Sequence, residues 1–280
     1  VSLLALPDRA ADADPLALAV VALLAGGYLF ALSRDRRCWP RRRTGAWLAG
    51  CALLAVALGP PALLPAGPAG HMAQHLLIGM FAPLALVLGA PVTLLLRVAP
   101  PPVRRAVAGL LRARPLHVLA HPATAVLLST GGLWLVLATP LYAAAESHRL
   151  LHHGLHLHYL LAGYLVAWSV AGPDPAPRRP GLPVRLGALL IASAGHSVLA
   201  KYLYAHADTL PPGLAERDAD GLRAAARLMY YGGDLAELLL AIALFGAWYG
   251  RRWSRAKRGP HAPTGGQVGR YSTSGRPGVP

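Results

Sequence analysis

His71 and His75 stand four residues apart at the head of the stretch HMAQHLLIGMFAPLALVLGAPVTLLLR, residues 71–97. On a helix that spacing puts both imidazoles on one face. An ionisable side chain in an apolar span is costly unless it is partnered or bound, so the pair marks a candidate site. The spacing recurs at His152 and His156 in LHHGLHLHYL, and two further apolar runs carry His196 and the set Met229, Asp234 and Glu237. Imidazoles from several helices, a thioether and no useful thiol suit copper among the common metals, as Cu(I) where sulfur joins. Zinc also accepts histidines, whereas a hard octahedral cation wants more carboxylates.

The candidate metal ligands are therefore His71, His75, His156, His196 and Met229, with His152 a supporting residue on the face of His156. Asp234 and Glu237, three apart on one helix, have two readings. They form a buried bridge with Lys201 or His196, or they hold a ligating imidazole from behind. Haem is the alternative cofactor, since two histidines on facing helices ligate iron axially, and His75 with His156 or His196 would meet that need. A haem-binding electron-transfer protein and a copper or cation transporter are accordingly the rival functions. Pro83, Gly89 and Pro91 would break the third span as transporter helices are broken, but no inverted repeat is visible. Ser193 and Ser197 flank His196 without a triad pattern, and no phosphate-binding glycine loop is present, so the chain is read as not an enzyme.

The elements that position these residues are apolar runs. Of 280 residues, 55% are hydrophobic and 14% charged, a balance expected of an all-α polytopic membrane protein with the lipid bilayer as its solvent. The spans fall at about 16–32, 44–64, 71–97, 122–142, 150–171, 186–205 and 222–249. Residues 1–15 form a short acidic segment without the basic region of a signal peptide, so the first span is expected to be retained. Residues 16–250 form the seven-helix domain, and 251–280 a basic, Gly/Ser/Pro-rich tail expected to be disordered. Cys38 and Cys51 form no CxxC, which excludes a disulfide framework or thiolate metal site.

The net charge of +15 does not indicate nucleic acid, because the arginines sit in short clusters between apolar runs. SRDRRCWPRRR follows the first span, a basic loop punctuated by prolines (98–121) the third, GPDPAPRRPGLPVR the fifth and RRWSRAKR the seventh. The other connections are neutral or acidic. The positive-inside rule then places the N-terminus outside and the C-terminus inside, and with them His71, His75, His152, His156 and His196 in the outer half.

Three stretches together carry a family resemblance. HMAQHLLIGMFAPLALVLGAPVTLLLR, HLHYLLAGYLVAWSVAGPDPAP and DADGLRAAARLMYYGGDL resemble the third span, the fifth span with its DP-x-P loop, and the start of the last span of the CtaG family. These are multi-spanning cytochrome c oxidase assembly factors. The similarity covers most of residues 45–250. It implies a role in forming the copper-containing oxidase at the metal-loading step, in a bacterial inner cell membrane. Oxidase subunits or copper chaperones would be the partners. His71 and His75 match the third-span histidines, and Met229 and Asp234 the last-span pattern. The chain departs from that pattern at Arg223, Ala226 and Arg227, and has Tyr230 where tryptophan is common.

Overall fold

A computed structural model of the chain describes residues 14–176, 179–214 and 217–256, and among these all regular structure is helical. Asp14 caps the first helix, α1 (Pro15–Arg34), by accepting from the backbone N–H groups of Leu16 and Ala17. At about 1.5 Å per residue its twenty residues reach about 30 Å, a bilayer's hydrocarbon thickness. Leu16, Val20, Leu23 and Phe30 stay exposed along it, as expected of a helix whose outer face meets lipid. Then come α2 (Arg41–Leu58), a 3-10 turn (Pro61–Leu63) and the central run of the molecule.

That central run is α3 (Gly67–Leu76), a π-helical segment (Leu77–Phe81), α4 (Ala82–Leu88) and α5 (Pro91–Val98). Pro83 lacks an N–H, and a π-turn just before it re-routes the hydrogen-bond ladder. The second break falls at Ala90, whose left-handed backbone (φ 53°, ψ 53°) costs an L-residue about 1–2 kcal/mol. The central run packs against α2, α11 (Arg149–Val170) and α13 (Ala219–Ala256), and α13 packs along α12 (Leu182–Ala205).

Where a basic loop is expected at 98–121, two helices form, α6 (Pro101–Arg112) and α7 (Arg114–Leu119). The prolines stand in their first turns, where the missing N–H has no intrahelical partner to lose. Neither helix has a buried residue. The expected fourth span is α8 (Pro122–Val126), a second π segment (Leu127–Gly131) and α9 (Gly132–Ala138), followed after Pro140 by α10 (Leu141–Ser147), bent away by 79°.

Among the described residues, four helical stretches are long and apolar enough to cross a membrane: Pro15–Arg34, Gly67–Val98, Leu182–Ala205 and Ala219–Gly250; the bent pair raises the number to five. Two expected spans are not among these. The helix α2 opens on three arginines, and α11 begins with Arg149 and carries four histidines. In α11 the residues of chemical interest are the ones that lower its apolar character. The last helix continues through residue 256, past the expected end of the seventh span. The acidic segment at 1–13 and the tail at 257–280 lie outside the described residues.

Candidate metal centre

Four imidazoles meet between α3 and α11. Ring centroids lie 4.4 Å apart for His71 and His75, 4.2 Å for His152 and His156, 6.0 Å for His71 and His152, and 5.9 Å for His75 and His156. The i, i+4 spacing makes each pair, and the packing of the two helices brings the pairs together. Tyr142, carried in by the bend before α10, lies 5.2 Å from His71, and Tyr159 lies 4.7 Å from His75. His75, His156, Tyr142 and Tyr159 are all buried.

Hydrogen bonding separates the histidines by role. His158 Nε2 donates to the carbonyl of Leu128 in the second π segment, which also accepts from the Gly132 N–H. His153 accepts from Arg149 and faces Asp14 at 3.7 Å, tying α11 to the start of α1. His121 accepts from the N–H of Ala123 as a helix cap, and His206 Nδ1 donates to the Tyr202 carbonyl. By contrast, His75 Nδ1 and His156 Nε2 are buried and have no hydrogen-bond partner. A buried nitrogen left so costs about 1–3 kcal/mol.

His196 stands apart from this cluster. Its Nε2 donates to the carbonyl of Met229 at 3.0 Å, leaving Nδ1 with the lone pair. The ring lies against Gly233, where any Cβ would overlap it, which accounts for the small residue at that position. His75, His196 and Met229 border one internal cavity of about 80 Å³, together with Glu237 and Tyr159. Glu237 is buried with its Oε2 unpartnered, and Asp234 accepts from Ser197 Oγ at 3.3 Å. Lys201 turns instead to the Tyr230 ring, 5.2 Å from its Nζ, so neither it nor His196 is hydrogen-bonded to Asp234 or Glu237 among the described residues. The expected ligand set thus divides in two. His71, His75 and His156 gather with His152, while His196 and Met229 lie across the cavity, with His75 bordering both.

The cluster's chemistry suits a borderline or soft cation: several neutral imidazoles with unpartnered nitrogens, and no carboxylate in the group. As the side chains stand, no three His, Cys, Asp or Glu among the described residues enclose a metal position. Ligation at about 2.0–2.1 Å therefore requires the rings to rotate. His71 and His152 are only half-buried, and a cavity of about 30 Å³ adjoins His71.

His152, expected as a supporting residue on the face of His156, stands in the cluster itself. One feature escapes a reading of spacing alone. Asp174, in the DPAP loop, caps α5 from a distant part of the chain. Its Oδ2 accepts from the Val92 N–H (3.0 Å), and its Oδ1 from the N–H and hydroxyl of Thr93 (2.7 and 2.5 Å). Arg179 donates to the carbonyls of Gly172 and Asp174, and Arg185 to that of Val170, fixing this loop beneath the break at Ala90.

Residues 26–251 match the family described as cytochrome c oxidase caa3 assembly factor (Caa3_CtaG). Uncharacterized proteins of Mycobacterium bovis and Mycobacterium tuberculosis are each 38% identical over 196 residues, 66% of this chain and 30% of theirs. An uncharacterized protein of Mycobacterium leprae is 31% identical over 257 residues, 84% of this chain and 39% of its own. The chain thus spans about a third of the length of these relatives. No solved structure matches.

Proposed function

The chain belongs to the cytochrome c oxidase caa3 assembly factor family, and from that premise we propose that it binds copper in its outer half and aids its delivery to an oxidase subunit. One observation carries the reading: four imidazoles from two helices face one another with two buried nitrogens unpartnered. His71, His75, His152 and His156 would hold the ion, and Tyr142 and Tyr159 would exclude water from it. When bound, copper supplies nothing to a reaction here; it is cargo. The partial exposure of His71 and His152 gives it a way in and out.

The proposed topology is seven crossings of the bacterial inner cell membrane, N-terminus outside. The helices α2 and α11, at 18 and 22 residues, reach about 27 and 33 Å at 1.5 Å per residue, enough to cross. Two arginines in or beside the connection after the sixth span are held locally, and of these only Arg223 has its charge offset by carboxylates among the described residues. Arg217 donates to the carbonyls of Ala207, Leu210 and Pro211, and Arg223 lies between Asp208 and Asp220.

A bare ion suits the space better than haem, because a cavity of about 80 Å³ is small beside the several hundred Å³ of ordinary organic-ligand pockets. The visible spectrum of the purified protein tests this, and a Soret band would overturn it. Copper analysis of wild-type protein and of the His71→Ala/His75→Ala variant tests the site. The variant is expected to lose its Cu(II) and to leave membranes without assembled oxidase. Full copper and normal oxidase in the variant would overturn the assignment.

A further inference from the structure

The chain has three methionines in 280 residues, and all three line the same internal cavity. Met72 and Met80 come from the central run and Met229 from α13. Met72 and Met229 are buried, the latter completely. The interior is otherwise filled mainly by leucine, alanine and valine, so thioethers are not the chain's general packing material. The cavity gathers a particular set of other donors. His75 reaches it from the imidazole cluster, and His196 from the opposite wall with its Nε2 already committed to the Met229 carbonyl. Glu237, more than nine-tenths buried, has an unpartnered Oε2 among the cavity walls. The helices supply these groups by register. Met229 and Glu237 are eight residues apart on α13, two turns on one face. The π segment after Leu76 carries Met80 round to the wall shared with Met72.

Soft thioethers with neutral imidazole select Cu(I) over Cu(II) and zinc. We infer that this cavity is a second, sulfur-lined site for a soft monovalent cation, Cu(I) or its analogue Ag(I), joined to the histidine cluster through His75. The inference deepens the copper reading by naming the oxidation state the interior accepts. The cluster has nitrogen donors alone and takes either copper state, whereas the cavity takes the reduced ion. The chamber, of about 80 Å³, has room for an ion. The carboxylate of Glu237 would offset the ion's charge in an apolar interior.

The test is binding of Ag(I) and Cu(I), under reducing conditions, to full-length detergent-purified protein. Wild type is compared with Met72→Leu/Met80→Leu/Met229→Leu, which nearly conserves volume. The triple variant is expected to bind one monovalent ion fewer per chain, or to bind Ag(I) at least tenfold more weakly. Its Cu(II) loading should be unchanged, and sulfur scattering should vanish from the X-ray absorption spectrum of bound Cu(I). Unchanged Ag(I) stoichiometry and affinity in the triple variant overturn the inference, as does a wild type that binds no monovalent ion. If the triple variant does not fold, the single variants Met72→Leu and Met80→Leu decide by the same readout. His71→Ala/His152→Ala separates the two readings, since neither histidine borders this cavity. Loss of Cu(II) with Ag(I) retained supports both sites. Retained Cu(II) overturns the cluster alone, and loss of sulfur-bound Ag(I) there overturns the independence of the cavity.

Discussion

Two polar constellations sit at the ends of the Gly67–Val98 run, and they are built on opposite principles. At one end Asp174 is 2% exposed, and both carboxylate oxygens accept hydrogen bonds from the first turn of α5. At the other end His75 and His156 are buried with a nitrogen each left unpartnered, although rotatable rings surround them. A saturated buried group stabilises one structure. An unsaturated one forgoes that stabilisation, and the imidazoles retain lone pairs able to meet a ligand. The Asp174 end is a structural lock, and the histidine end is the proposed site.

That contrast is tested most strongly by exchanging the effects. His71→Ala/His75→Ala should abolish Cu(II) binding while leaving the thermal midpoint in detergent within a few degrees of wild type or above it. A collapse of the fold instead would make the cluster structural. Asp174→Ala should do the reverse. Hydrogen bonds to a charged group contribute about 1.5–3 kcal/mol each, so its midpoint should fall sharply with copper per folded chain intact. At Gly163 of α11 a Cβ would overlap the carbonyl of Gly79 in the first π segment. Gly163→Ala should therefore cost about 1–3 kcal/mol and lower copper affinity, because it pushes apart the helices that carry the two histidine pairs. His158→Phe should have the smallest effect, about 1 kcal/mol, because the Leu128 carbonyl loses one hydrogen bond but keeps that from the Gly132 N–H. Unchanged copper content in that variant would bear out the division between partnered and unpartnered histidines.

The sequence makes the histidine pairs legible because i, i+4 spacing is a property of a single helix. It does not say which helix faces which. His196 therefore looked equivalent to His75, and only packing shows that its Nε2 is held by the Met229 carbonyl. The DP-x-P loop could be recognised as a pattern, but not as a cap for α5, because that contact spans 81 and 82 residues of chain. At 98–121 the prolines suggested a loop, although in a first turn they are compatible with helix, which is how α6 and α7 use them. The π segments left no signal in periodicity. Each inserts about one residue into an otherwise helical pattern, and only the first is accounted for afterwards, by Pro83.

The central claim is that the four-imidazole cluster holds copper. X-ray absorption at the copper edge, on Cu(II)-loaded wild type and on His71→Ala/His75→Ala, tests it most directly. The account predicts imidazole scattering from at least two histidines in the wild type and its loss, with the metal, in the variant. A copper spectrum without histidine scattering, or one the double substitution leaves unchanged, would contradict it.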